Sequence, residues 1–127
     1  MSTAEATDRD AVGLELSVVV PAFNEADRLP PTLARIAAYL GAHPDWQPAE
    51  IIVVDDGSSD GTALCAGKVS LANGIELRVV EHPKNRGKGA AVRTGFGLAA
   101  GHWVLLTDAD LSAPIEELPV LARAASR

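Results

Sequence analysis

The sequence is poor in cysteine, in basic residues and in long apolar runs, and each shortage removes a class of function. Its 127 residues include one cysteine, Cys65. A single thiol excludes an internal disulfide and a thiolate zinc cage, and leaves Cys65 as a small apolar helix residue. Lys and Arg number 11 against 17 Asp and Glu, a formal net charge of -6. A phosphate backbone calls for a basic face, so nucleic acid is excluded as a bulk electrostatic partner. No apolar stretch approaches the roughly 20 residues of a membrane helix. The opening residues, M-S-T-A-E-A-T-D-R-D-A-V-G, have neither the basic start nor the apolar middle of a signal peptide. The expectation is a soluble chain in a reducing cytoplasm. Two phosphate-binding signatures are also missing. There is no G-x-x-x-x-G-K-[ST] loop, and Gly87-x-Gly89 lacks the third glycine of a dinucleotide fingerprint. No internal repeat, low-complexity segment or interdomain linker interrupts the chain.

What is present suits one domain. The chain is 47% hydrophobic and 22% charged, enough to bury a core. Residues 1–13 show no period and are expected to fray as a flexible segment, leaving 14–127 as the domain. Leu16–Val20 reads as a first strand, Ile51–Val54 as a second, Leu77–Val80 as a third and Trp103–Thr107 as a fourth. Helices are expected between them. One starts near Leu29–Pro31, with Leu33, Ile36, Ala37 and Leu40 on one face, and stops at Gly41 and Pro44. A second covers Thr62–Ala72, capped by the serines and Asp60. A third covers Ala90–Ala100 in spite of Gly95 and Gly97, which argues for close approach of another backbone. A last helix starts at Pro114 and carries Ile115, Leu118, Leu121 and Ala122 on one side. The order β-α-β-α-β-α-β-α predicts an α/β fold, a Rossmann-like parallel sheet with helices on both faces.

The polar residues collect after the strands: Asn24 and Glu25, then Asp55, Asp56 and Asp60, then Lys84, Arg86 and Lys88, then Asp108 and Asp110. In a parallel sheet all these loops emerge at the carboxyl edge, where open α/β sheets bind ligands. Carboxylates beside cations suit Mg²⁺ or Mn²⁺ holding a phosphorylated ligand. Each group alone has a plainer reading. Asp-Asp-Gly-Ser serves equally as a turn and helix cap, Asp108 and Asp110 as another cap, and the basic run as a solvated loop. The histidines His43, His82 and His102 lack metal-ligand spacing and are expected at the surface or at an edge. A phosphorylation-receiver domain is excluded, because the acidic pair follows strand two and no fifth strand is expected.

Four segments carry a resemblance: V-V-V-P-A-F-N-E, I-I-V-V-D-D-G-S-S-D-G-T, N-R-G-K-G-A-A-V-R-T-G and T-D-A-D-L-S-A-P. In this order they resemble the N-terminal part of a family 2 glycosyltransferase of the GT-A fold, from about Leu16 onward. The subgroup they most resemble is the polyprenyl-phosphate (dolichyl-phosphate) hexosyltransferases, and N-R-G-K-G with D-A-D-L-S-A-P resembles the glucose-transferring branch, the mannose-transferring branch usually having a Gln where Ser112 stands. The resemblance implies inverting transfer of a hexose from a nucleotide diphosphate sugar. UDP-glucose is the favoured donor and GDP-mannose the second, with a polyprenyl phosphate as acceptor. It implies that Pro21, Phe23 and Glu25 form the first nucleotide loop, and that Val54 and Asp56 line the base, Asp56 accepting from a ring N–H. Gly87 and Lys88 would flank the nucleotide. Asp108, Ala109 and Asp110 would form the DxD motif, with Asp108 and Asp110 holding the divalent ion. The catalytic acceptor-side residues are implied to lie C-terminal to the DxD strand, in a half expected to be absent from this chain. Strand four would then present an open edge, a route to self-association. A lipid acceptor implies a peripheral station at the inner face of the membrane. Two further readings are carried: a nucleotide-sugar-binding module without transfer, and a nucleotidyltransferase, whose usual glycine-rich, Arg-bearing first loop is missing from P-A-F-N-E.

Overall fold

Two runs of seven residues, Leu16–Ala22 (β1) and Ala49–Asp55 (β2), are buried along their whole length. Their β-branched and apolar residues carry no polar face, so both must lie inside a sheet covered on two sides. The computed structural model, which describes residues 13–71, 75–110 and the backbone of 120–122, places them side by side at its centre. Ile75–Glu81 (β3) pairs with β2, and Trp103–Leu106 (β4) pairs with the other side of β1. These four strands are parallel. Val120–Ala122 (β5) adds an antiparallel strand, so the order is β3-β2-β1-β4-β5.

Side chains alternate between the two faces of the sheet. Leu16, Val18, Val20 and Ala22 of β1 pack with Leu29, Leu33, Ile36 and Leu40 of the helix Leu29–Ala42 (α1). Those four α1 residues are fully buried. Each contributes about 1.5–3 kcal/mol through removal from water, before the entropy of ordering is counted. Ala66 of the short helix Thr62–Gly67 (α2) joins the same cluster. On the opposite face, Val19, Ile52, Val54 and Val104 pack against Ala91 and Phe96 of the helix Lys88–Leu98 (α3). Helices thus cover both faces, as the alternation predicts.

Three expectations change. The second helix stops at Gly67 instead of reaching Ala72. The segment expected as a last helix ends in a strand: Leu121 and Ala122 pair with Val104 and Trp103. Its start, from Pro114, lies outside the described residues, as do residues 1–12. The sheet therefore does have a fifth strand. It covers the edge of β4 that was expected to be open, and removes the premise for self-association through that edge. The antiparallel direction explains the miss, because it needs no helix-length apolar stripe and β5 is only three residues long.

A buried polar junction fixes the lower end of β4. Ser17 Oγ donates to Glu50 Oε2 at 2.5 Å and accepts from the Gly101 N–H at 2.7 Å. The Ala100 N–H donates to the same Glu50 oxygen at 2.8 Å. A Cβ on Gly101 would come within 2.6 Å of the Leu16 carbonyl carbon, so only glycine lets the chain enter β4 this close to β1.

Candidate functional site

The strand order reverses between β1 and β4: the chain steps from β1 outward to β2 and β3, then returns to the other side of β1. Outside the carboxyl ends at such a reversal the crossovers diverge to opposite faces and leave a crevice. A cavity of about 460 Å³ lies there. It is lined by Pro21, Ala22, Phe23 and Glu25 after β1, by Asp56 after β2, and by Asn85, Gly87 and Lys88 after β3. Ala91 of α3 and Asp108, Ala109 and Asp110 after β4 complete it. Every residue expected at a nucleotide site lines this cavity except Val54. That side chain is fully buried in the apolar cluster under α3, beside Val19 and Ile52.

The first two loops are laced together. Asn24 has φ 53, a left-handed conformation that Asn tolerates better than most residues. Its N–H donates to Ser58 Oγ at 2.7 Å, and its Oδ1 accepts from the Ser59 N–H at 3.0 Å. The Glu25 N–H donates to Thr62 Oγ1 at 2.9 Å, and the Ala26 N–H to Asp60 Oδ2 at 3.2 Å. Asp60 Oδ1 also accepts from the Thr62 N–H and hydroxyl. The Thr62 hydroxyl bond is the main reason the Asp60 carboxyl stays below its ordinary value. Glu25 Oε1, shielded from solvent, is 2.8 Å from Arg28 Nε, an ion pair by distance without a well-directed hydrogen bond.

The Asp-Asp pair divides two tasks. Asp55 Oδ1 accepts from the Ser58 N–H at 3.0 Å and closes the turn, so the turn reading holds for it, whereas α2 has Gly61, not a serine or Asp60, at its N-cap and no side-chain cap bond there. Asp56 belongs to the cavity wall and is 3% exposed. Its Oδ1 accepts from His82 Nδ1 at 2.8 Å and from the Arg86 N–H at 2.9 Å; its Oδ2 accepts from the Gly87 N–H at 2.8 Å. Burial pushes this carboxyl up, but the hydrogen bonds from His82, Arg86 and Gly87 outweigh it and hold the group below the usual 3.8. Gly57 is required beside it: φ is +77, and a Cβ would meet the Asn85 nitrogen at 2.4 Å. The loops after β2 and β3 touch there, backbone to backbone.

His82 is the residue that the sequence reading missed. It follows the edge strand β3 but is buried rather than at the surface, and its Nε2 lies 2.9 Å from Thr94 Oγ1. The register could have pointed to it. Asp55 pairs with Glu81, so the next residue of each strand, Asp56 and His82, must be neighbours. His43, stacked on Tyr39, and His102 are exposed as expected.

Asp108 and Asp110 are exposed on the cavity wall with Ala109 buried between them. Lys88 Nζ sits 2.7 Å from Asp108 Oδ1. Among the described residues no three His, Cys, Asp or Glu converge as a ready metal cage. Two carboxylates still fit Mg²⁺ or Mn²⁺, since such ions are held by one or two carboxylates, with substrate phosphates and water completing the shell. Ser112, one of the residues on which the resemblance to the glucose branch rests, lies outside the described residues.

The profile of glycosyl transferase family 2 matches residues 17–127. This chain belongs to glycosyl transferase family 2. A relative in this family, a dolichyl-phosphate beta-glucosyltransferase of Drosophila melanogaster, is 47% identical over 105 residues, covering 80% of this chain and 32% of the relative. Others are named for different sugars, galacturonate among them. Two of the solved structures that share the fold illustrate it. Mannosyltransferase PcManGT from Pyrobaculum calidifontis, in complex with GDP-Man and Mn2+, is 31% identical with a TM-score of 0.61, over 80% of this chain and 29% of its own. S. aureus TarS 1-349 in complex with UDP is 29% identical with a TM-score of 0.62, over 76% of this chain and 27% of its own. The fold is the N-terminal part of the GT-A glycosyltransferase architecture, and the chain spans about a third of the length of the curated relatives it matches. No helix among the described residues is long and apolar enough to cross a membrane.

Proposed function

We propose that the protein transfers glucose from UDP-glucose to a polyprenyl phosphate with Mg²⁺ or Mn²⁺, and that residues 14–127 are its donor-holding part. The observation that carries this reading is the charge of the cavity wall. Glu25, Asp56, Asp108 and Asp110 share the lining with one cationic side chain, Lys88, and Arg28 from outside the lining offsets only Glu25. An anionic diphosphate would be repelled by such a wall unless a cation came with it. Asp108 and Asp110 would hold that cation, which when bound neutralises charge developing on the leaving diphosphate.

The remaining roles belong to side chains and amides. Asp56 accepts the ring N–H of the base, held ready by its three donors. Pro21, Phe23 and Gly87 flank the nucleotide, and Lys88 brings its positive charge to the diphosphate end. In the transfer, the bond from sugar C1 to the diphosphate oxygen breaks and its electron pair leaves with UDP. A phosphate oxygen of the acceptor forms the new bond to C1 from the opposite face. That oxygen is already ionised, so no general base is needed to take a proton. Acceptor-side residues are assigned to the two thirds of the relatives' length that this chain does not span. The name of the Drosophila relative, a dolichyl-phosphate glucosyltransferase, supports glucose and a polyprenyl phosphate, and the TarS complex supports UDP.

The test supplies radiolabelled UDP-glucose, Mn²⁺ and a polyprenyl phosphate to the whole protein. The expected result is lipid-linked glucose with stoichiometric UDP. Transfer from GDP-mannose in preference to UDP-glucose would overturn the donor. Pyrophosphate release from UTP and glucose 1-phosphate would replace a glycosyltransferase with a nucleotidyltransferase.

A further inference from the structure

We propose that His82 is a positioning residue for base recognition: it saturates one oxygen of Asp56 and so reserves the other for the ring N–H of the nucleotide. This rests on the reading of Asp56 as the base contact. A carboxylate oxygen accepts about two hydrogen bonds. Asp56 Oδ1 already has two donors, His82 Nδ1 at 2.8 Å and the Arg86 amide at 2.9 Å. Oδ2 has one, the Gly87 amide at 2.8 Å. One lone pair on Oδ2 therefore remains for a ligand, and Asp56 lies on the cavity wall.

The imidazole cannot turn away from this task. Its Nε2 is held 2.9 Å from Thr94 Oγ1 on α3, and its backbone N–H is bonded to the Asp55 carbonyl at 2.8 Å. An ionised carboxylate only accepts, so Nδ1 carries the proton; Thr94 can donate to Nε2 in the neutral ring or accept from it in the charged one. The chain is thus clamped from β3 to α3, with the reading atom at its end. A carboxylate fixed as an acceptor selects bases with a ring N–H. Uracil has one at N3; cytosine has an acceptor there and is rejected.

The test compares UDP and CDP binding, each with Mn²⁺, by calorimetry on wild type, His82→Gln, His82→Asn and Asp56→Asn. The Asn side chain places its amide nitrogen near the Nδ1 position, whereas Gln reaches toward Nε2. Wild type is expected to favour UDP. His82→Gln should narrow that preference roughly tenfold, the equivalent of one hydrogen bond to a charged acceptor, and His82→Asn should largely restore it. Equal effects of the two substitutions, or none from either, would overturn the proposal. If Asp56→Asn leaves the preference unchanged, the base contact itself is wrong and the proposal falls with it. An altered preference in Asp56→Asn beside an unaltered one in His82→Gln sinks only the role of His82. Should His82→Gln fail to fold, Thr94→Val frees the ring at Nε2, and an unchanged preference there overturns the clamp.

Discussion

Asp56 concentrates more of the site in one side chain than any other residue of the cavity. Its carboxylate gathers a histidine and two amides, and these donors hold it ionised below the ordinary Asp value. The consequence for stability has a definite sign. A depressed folded value means that the unfolded chain takes up the proton first on acidification. The stability carried by ionised Asp56 is therefore present in full above the unfolded value, near 3.8, and is lost as pH falls from there through the lower folded value. Urea denaturation of wild type from pH 7 to pH 3 should show this loss. Asp56→Asn should be less stable at pH 7, on the order of 1–3 kcal/mol for the disrupted hydrogen bonds, and should have a flatter acid limb. An identical acid limb in the two proteins would contradict the assignment. The acid pair itself was plain in the sequence. Its division of labour was not: Asp55 takes the nearby Ser58 amide, whereas the Asp56 cradle depends on amides supplied about 30 residues later, by Arg86 and Gly87.

At the scale of elements, α3 separates two glycines that the sequence treats alike. Gly95 faces β1, where a Cβ would stand 2.3 Å from Val19 Cγ1 and 3.2 Å from Cγ2. Val19 is fully buried, so it cannot swing aside. Gly97 has open space around its missing Cβ. The expected approach of a neighbour is therefore right for Gly95, against a side chain and not a backbone, and has no counterpart at Gly97. Gly95→Ala should destabilise by about 1–3 kcal/mol through overpacking, less what it gains in helix propensity. Gly97→Ala should stabilise by up to about 1 kcal/mol. Guanidinium denaturation of the two variants decides it, and equal shifts would show that α3 does not pack on β1 through Gly95. The four parallel strands and the first three helices were legible because apolar runs and turn residues alternate cleanly. The antiparallel β5 was not, because three residues carry too little periodicity to compete with a proline-led helical stripe.

Across the whole molecule, topology turns separate sequence signals into a site. The loops after all four parallel strands meet outside one sheet edge because β4 returns beside β1. The shared edge followed from the βα alternation alone, whereas the place of β4 beside β1 is seen only in the sheet order. The position of His82 behind Asp56 required the β2–β3 register, and the burial of Val54 under α3 required knowing which face that helix covers. The net charge of -6 is continued in the cavity, where four carboxylates stand against one lysine. The proposed site therefore needs a cation to reconcile an acidic wall with an anionic nucleotide. Calorimetric titration of UDP with and without Mn²⁺, on wild type and on Asp110→Ala, tests this most directly. The predicted result is binding that needs Mn²⁺ and weakens at least about tenfold in Asp110→Ala, the scale of one lost charge-assisted contact. Binding of equal strength without the metal, unchanged by the substitution, would contradict it.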